Sequence, residues 1–498
     1  MRCRGSYHCV FKPLNFVRRA RNLVCGVFFA CLAAWLPGSM AAQQTVSIPQ
    51  VPLAVQNGSA HYLGHYDPQQ MLRLTVALKP PHMEAEEQFL RELQDPASPL
   101  FHKYLSAAEW NQRFAPSAQD EQAVVAWAQA QGLTITQRFP NRLVVDVEAP
   151  VAVIENALAI SINSYQLGES TYFSNDREPS IPATLANVIH SVLGLNNIDV
   201  AHSVSQNKQH LSFPVYSPGP AYSLGSHVQG DGDRKELDAA MAAHQKGVSH
   251  DSSNGAYDPT DLYSSYAYNY VALQNLGHCC NPLNNPHNSP PEASIAIAIF
   301  GDYADSDYAA FLSYYSYLAH NVQRHFVDGT PACCQDETTL DLEWSTAMAN
   351  SFGSSASTAK VHMYEGASDA VNVLLDVVQH ALNDGDARVL NMSWGFAEHL
   401  GGNYIDEFHS AFNQMIGQGW SLVAASGDWG STADCQQVSV LYPASDPDVT
   451  AAGGTSLSTS QLGYSSEVGW TGGSYGCAPP NNDGGSGGGC SIHFSAPG

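Results

Sequence analysis

The chain has 498 residues, 44% of them hydrophobic, enough to bury more than one core; this excludes wholesale disorder and implies at least two domains. Lys and Arg number 21 against 46 Asp and Glu, a formal net charge of −25, and so little fixed positive charge excludes nucleic acid and anionic lipid as expected partners. The carboxylate excess makes self-repulsion smallest in mild acid, which is compatible with acidic working conditions.

Residues 1–42 read as a signal peptide. Arg2, Arg4, Lys12, Arg18, Arg19 and Arg21 precede a charge-free run over 23–36, and Pro37-Gly38-Ser39-Met40-Ala41-Ala42 offers cleavage after Ala41 or Ala42. The run is shorter than the roughly 20 residues of a membrane-spanning helix. The expectation is a secreted or periplasmic protein with no membrane contact after signal removal. Cys3, Cys9, Cys25 and Cys31 fall in this leader, and Cys279, Cys280, Cys333, Cys334, Cys435, Cys477 and Cys490 remain. In an exported chain these should mostly form disulfides, and cross-pairing of the 279/280 and 333/334 doublets is expected. The doublets lack the spacing of structural zinc sites. The odd number leaves one thiol free or paired outside the chain.

Over 43–195 the pattern is α+β. Residues 72–78 alternate and are rich in β formers, and Pro80-Pro81 ends the strand. Helical periodicity runs over 83–93 and 120–131, the latter with Ser117 as cap and Gly132 as stop. Strands over 133–139 and 142–148 flank Pro140-Asn141; a helix over 151–159 and a strand near 162–167 complete a ferredoxin-like alternation. Asp95-Pro96-Ala97-Ser98-Pro99-Leu100-Phe101-His102-Lys103-Tyr104-Leu105, Phe114-Ala115-Pro116-Ser117, Asn141-Arg142, Ile181-Pro182-Ala183 and Val192-Leu193-Gly194-Leu195 follow in order. Together these words resemble the activation pro-domain of the sedolisins, the serine-carboxyl peptidases.

Residues 196–255 read as a linker with an activation region, rich in Ser, His, Gln and Gly. His202, His210, His227, His244 and His250 would charge below about pH 6.5, so loosening of the pro-domain in acid is an expectation. From 256 to 498, strands over 293–300, 322–327, 360–364, 389–394 and 421–425 alternate with helices over 308–317, 336–349, 370–382 and 404–416. This implies a mostly parallel sheet covered on both faces, with its site beyond the carboxyl ends of the strands.

In the 336–349 helix Glu337 and Asp341 stand one turn apart on one face. Leu340, Leu342, Trp344, Ala347 and Met348 make the helix apolar over much of its surface, so it should be buried between other elements. Buried carboxylates at this spacing suit a general base and the group that orients it. A carboxylate base has its natural pKa in acid, where a histidine would be protonated.

The family resemblance extends to this region and implies roles. Glu337 would be the base to a serine and Asp341 its orienter. Val389-Leu390-Asn391-Met392-Ser393-Trp394-Gly395 resembles the strand that walls the substrate pocket, implying Ser393, Trp394 and Gly395 as substrate-binding. Leu422-Val423-Ala424-Ala425-Ser426-Gly427-Asp428-Trp429-Gly430-Ser431 resembles the word whose Asp lines the oxyanion hole, here Asp428, with Trp429 where the family often has Ser. Subtilisins carry Asn there, and an Asp can replace it as donor only when protonated. Gly453-Gly454-Thr455-Ser456 looks like the nucleophile word. However, Tyr442-Pro443-Ala444-Ser445 before it, and Trp470 and Ser486-Gly487-Gly488-Gly489-Cys490-Ser491-Ile492-His493-Phe494-Ser495-Ala496-Pro497 after it, match the family's earlier, structural copy. The nucleophile Ser is therefore expected beyond residue 498, as is the Asp-rich loop that holds calcium in the family. The glycine run around Ser486 has neither the strand nor the helix of a phosphate loop.

The reading is thus a ferredoxin-like α+β pro-domain followed by the N-terminal two-thirds of a subtilisin-like α/β parallel-sheet peptidase domain. It would act on protein or peptide substrates in acid, as a monomer whose own pro-domain is an intramolecular inhibitor. The alternative is a catalytically inactive exported pseudopeptidase that binds or inhibits through its pro-domain. A carbohydrate-active enzyme fits poorly, because one helical turn sets the carboxylates closer than the about 5 Å wanted across a glycosidic bond.

Overall fold

The computed structural model describes residues 44–198 except 169, residues 202–203, 257, 259 and 262, and 294–495 with gaps at 316–320, 334, 350–358, 436, 461–462 and 472–483. The N-terminal part runs β1 (Thr45–Ser47), α1 (Leu53–Gln56), β2 (His61–His65), β3 (Met71–Leu78), α2 (Met83–Gln94), α3 (Ala107–Arg113), α4 (Ala118–Ala130), β4 (Thr134–Arg138), β5 (Val144–Pro150), α5 (Val151–Leu158), β6 (Ile162–Leu167), β7 (Ser170–Asn175), β8 (Ser180–Pro182) and β9 (Ile189–Leu193). An antiparallel sheet in the order β4-β5-β3-β9 forms its centre. Ser117 caps α4 by accepting from the Asp120 N–H at 3.0 Å, and Gly132 ends the turn beyond it with φ +84°.

The strand period explains why β3 and β5 carry so few exposed polar residues. Leu72, Leu74, Val76 and Leu78 point one way, onto Val124, Ala128, Ile154 and Leu158 of α4 and α5. Thr75, Ala77, Val144 and Asp146 point the other way and are equally buried, because the second half of the chain covers that face.

That half runs β10 (His202–Ser203), β11 (Ser294–Phe300), α6 (Asp305–Tyr314), β12 (Val322–Val327), α7 (Asp336–Ala349), β13 (Lys360–Gly366), α8 (Val371–Asp384), β14 (Val389–Met392), β15 (Trp394–Ala397), α9 (Asn403–Gly417), β16 (Ser421–Ala425), β17 (Leu441–Tyr442), β18 (Thr450–Ala452), β19 (Thr455–Ser460) and β20 (Gly463–Gly469). Six parallel strands form one sheet in the order β12-β13-β11-β14-β16-β18. Neighbouring residues of β12 reach opposite layers: Arg324 pairs with Asp305 of α6 and His325 with Asp384 of α8. Helices therefore cover both faces, as the alternation of strands and helices predicts.

The α8–α9 layer receives the N-terminal sheet through polar groups set in apolar surroundings. Arg73 of β3 reaches Asp328 at 2.6 Å and Asp376 at 3.0 Å. Buried Asn141 donates to Gln379 Oε1 at 2.8 Å and Gln414 Oε1 at 3.0 Å, and Ser191 donates to Glu407 at 2.6 Å. The Leu105 N–H donates to the Gly417 carbonyl at 2.9 Å, and Trp110 lies so close to Gly417 that a Cβ there would come within 2.0 Å of the indole. The words singled out in the N-terminal sequence, Tyr104-Leu105 and Asn141, are docking residues.

Several expectations need correction. The helix expected over 308–317 begins at Asp305 and ends at Tyr314, and the strand expected over 389–394 breaks at Ser393. The α7 helix is less enclosed than its apolar residues suggest, since Leu340 is 46% exposed while Leu342 and Ala347 are buried. Cys333 and Cys435 are disulfide-bonded and Cys490 is free and exposed. The expected doublet pairing and the histidine-rich linker lie largely outside the described residues.

Candidate active site

The N-terminus of α7 is tied to the carboxyl end of β11. Gln335 N–H donates to the Asp302 carbonyl at 2.8 Å, and Asp302 N–H donates to Ala332 at 2.9 Å. Thr338, fully buried, directs its hydroxyl at the Phe300 and Gly301 carbonyls at 3.4 Å. Gly301 has φ +82°, and a Cβ there would lie 2.2 Å from Gln335 Cγ, so glycine is required at this crossing. With its first turn fixed, α7 presents Glu337 and Asp341 toward the end of β14.

Asp341 is held from β14. Ser393 Oγ donates to its Oδ1 at 2.8 Å and Asn391 Nδ2 to its Oδ2 at 3.0 Å, while Asn391 Nδ2 also reaches Ser393 Oγ at 3.2 Å. Burial, reinforced by the charge of Glu337, pushes the Asp341 carboxyl up to about 8 against the opposing hydrogen bonds from Ser393 and Asn391. A neutral Asp341 beside Glu337 can donate a hydrogen bond to it. An ionised one would only repel it.

β14 and β16 are parallel neighbours, so Ser393 and Asp428 both emerge at the same edge of the sheet. Gly427 turns the chain with φ +101°, and Asp428 lines a small cleft with Ser426, Trp429, Gly430, Gly487 and Gly488. Burial alone raises the Asp428 carboxyl to about 6. The glycine-rich segment seen in the sequence lies along this turn: Gly487 N–H donates to the Gly427 carbonyl at 2.8 Å and Gly485 N–H to the Asp428 carbonyl at 2.9 Å.

The expected pocket residues divide. Ser393 joins the carboxylate cluster. The Trp394 side chain is fully buried, its indole N–H donating to the Ala298 carbonyl at 2.8 Å, so it belongs to the core and not to a pocket lining. Gly395 has no room for a side chain, since a Cβ would lie 2.5 Å from Leu441. What β15 offers is backbone, and both its edges are taken: β10 lies antiparallel along one, His202 opposite Gly395 and Ser203 opposite Trp394, and β17 along the other, Tyr442 opposite Phe396. Ser456 stands in the exposed β19–β20 hairpin opposite Val468. Asn391 joins the same cluster as Ser393, a residue to which sequence reasoning gave no role. Its signal is a polar side chain two residues before Ser393, hence on the same face of an otherwise apolar strand.

A family model, the pro-kumamolisin activation domain, matches residues 59–198. Xanthomonalisin of Xanthomonas sp. (strain T-22) is 27% identical over 469 residues, covering 86% of this chain and 51% of xanthomonalisin. Sedolisin of Pseudomonas sp. (strain 101) is 24% identical over 437 residues, covering 84% of this chain and 66% of sedolisin. A solved structure of Pseudomonas sedolisin, a serine-carboxyl proteinase complexed with pseudo-iodotyrostatin, aligns with a TM-score of 0.38 at 22% identity, over 50% of this chain and 66% of that one. The chain thus spans about half the length of xanthomonalisin.

Proposed function

We propose, from the match to the pro-kumamolisin activation domain and the likeness to xanthomonalisin and sedolisin, that the chain belongs to the sedolisin family and is the zymogen part of an exported, acid-acting serine-carboxyl endopeptidase. Glu337 acts as the general base, and neutral Asp341 holds it by hydrogen bonding, itself positioned by Ser393 and Asn391. Asp428 donates to the oxyanion of the tetrahedral intermediate, and can do so only below its raised pKa of about 6, which ties the chemistry to acid. The nucleophilic serine is expected on sequence outside these 498 residues. The observation that carries this reading is the Asp341 carboxyl beside Glu337, hydrogen-bonded on both oxygens from Ser393 and Asn391 of the β14 end.

The same reading makes the N-terminal part, together with the segment that follows it, an intramolecular inhibitor. β10 adds a strand to β15, the backbone edge where an extended substrate would pair. Calcium, implied by the family, takes six to eight oxygen ligands. The metal-capable groups found among the described residues, His325 with His362 and Asp386, and His409 with Asp446 and Asp448, each include histidine and do not suit it. Any calcium loop is placed with the serine, and no step depends on it.

The test is peptide hydrolysis by the full gene product after processing in acid, with Glu337→Gln beside the wild type. Removing the general base should lower kcat by about 100-fold or more and leave the melting temperature unchanged. A wild-type rate in Glu337→Gln would sink the assignment.

A further inference from the structure

Away from the carboxyl ends used above, the α8 face of the sheet carries a second group of convergent side chains. The register of β12 and β13 sets His325 opposite Tyr364 and Gln323 opposite His362, so His325, Tyr364 and His362 share that face. His325 Nε2 and His362 Nδ1 are 3.2 Å apart, and Asp386 Oδ2, in the turn after α8, is 3.7 Å from His362 Nδ1. One ligand atom from each of the three lies within 4.8 Å of the others. The second ring nitrogen of His325, Nδ1, faces Asp384 Oδ2 at 4.0 Å.

Bonds of about 2.0–2.1 Å around a tetrahedral zinc set neighbouring ligand atoms about 3.4 Å apart, and the two measured separations lie on either side of that value. A hydrogen bond between neutral rings would account for the 3.2 Å contact alone. It would not account for the convergence of Asp386. His362 is 2% exposed and Asp386 is 46% exposed, which gives two inner ligands and an entry from solvent. The Lys360 ammonium, held by Gln323 Oε1 at 2.6 Å, and the His380 ring when protonated work against a cation there. The other cluster is less suited: Asp446 already accepts from Tyr442, the Asp448 N–H and His409.

We propose that His325, His362 and Asp386 bind a zinc ion, with Asp384 fixing the ligating tautomer of His325 and water in the fourth position. A carboxylate on the distal nitrogen is the usual orienter of a metal-bound histidine. The ion ties the edge strand β12 to β13 and to the α8–β14 turn, so its role is structural.

The test is calorimetric titration of the metal-stripped full chain with Zn²⁺ at about pH 7.5, where protons compete little for the ligands, with Co²⁺ absorption reporting tetrahedral coordination. The wild type should bind and melt higher with Zn²⁺. Asp386→Asn and Asp384→Asn should each weaken that site about 10-fold or more, and His325→Ala should abolish it. Zinc held elsewhere, for example by other histidines, would be indifferent to these changes; binding unchanged in Asp386→Asn and Asp384→Asn, or absent from the wild type, overturns the proposal. Should His325→Ala fail to fold, the two surface carboxamide variants still decide.

Discussion

Two half-buried aspartates at the same sheet edge have raised carboxyl pKa values for different reasons, and the difference separates the roles proposed for them. Asp341 has burial plus the charge of Glu337 and reaches about 8; Asp428 has burial alone and reaches about 6. As pH rises through about 6, Asp428 ionises first, losing its donor and placing a negative charge where an oxyanion would form. Asp428→Asn removes that titration while keeping a donor. In the full gene product the alkaline limb of kcat/KM should move up by about a unit or more, with the acid limb little changed. Superimposable pH profiles for variant and wild type would remove Asp428 from the oxyanion role. Both aspartates are legible in the sequence, one through helical spacing and one through a family word. Their pKa values are not, because burial leads both shifts and tertiary packing supplies it, and the hydrogen bonds that oppose the shift at Asp341 come from Ser393 and Asn391, some fifty residues away. Trp394 shows the opposite failure: a resemblance can name a strand correctly and still leave open which of its atoms face a ligand.

At the level of elements, the long periodic segments were readable and the short ones were not. α8, α9 and the central strands have enough residues for the period to declare itself, whereas α4 is marked by its Ser117 cap and Gly132 stop and α7 by the spacing of its carboxylates. β9, β18 and the break at Ser393 exist because neighbours supply their partners, and no local propensity encodes that. The glycine-rich segment after Ser486 is an intermediate case. Its composition signals close approach without naming the surface approached, which proves to be the turn that carries Asp428. The two central glycines differ sharply. A Cβ on Gly487 would lie 1.8 Å from the Ser426 carbonyl oxygen, whereas one on Gly488 meets nothing within 4 Å. Gly487→Ala must move backbone and should cost about 1–3 kcal/mol; Gly488→Ala should stay within about 0.5 kcal/mol of the wild type. Denaturant unfolding of the pair measures both, and equal stabilities would show that this segment does not run against the Asp428 turn.

For the whole molecule, the net charge of −25 and the buried carboxyls act in the same direction. Asp146 is raised to about 6, Glu86 to about 7, and Asp341 and Glu365 to about 8, burial being the leading cause in each, and Asp376 is raised as well. Each of these groups binds its proton more tightly folded than unfolded, so the stability it confers is complete below about pH 4 and is lost as pH rises through its folded pKa. His325, His362 and His380, lowered by burial, oppose this below about pH 6.5, but the raised carboxyls outnumber them. Three of the carboxyls, Glu86, Asp146 and Asp376, lie where the N-terminal sheet and its helices meet α8 and α9. The linker histidines suggest a contact that loosens in mild acid; the carboxyls predict one that tightens from pH 8 down to about 5. The full chain should therefore melt at a higher temperature at about pH 5 than at about pH 8. Glu86 faces Asn413, His409 and Asp448, and Glu86→Gln keeps its shape without its titration. That variant should narrow the difference in unfolding free energy between the two pH values by about 2–3 kcal/mol. A chain more stable at pH 8, or a Glu86→Gln variant with an undiminished pH dependence, would mean that these carboxyls do not govern the contact, and release in mild acid would then rest with the linker histidines.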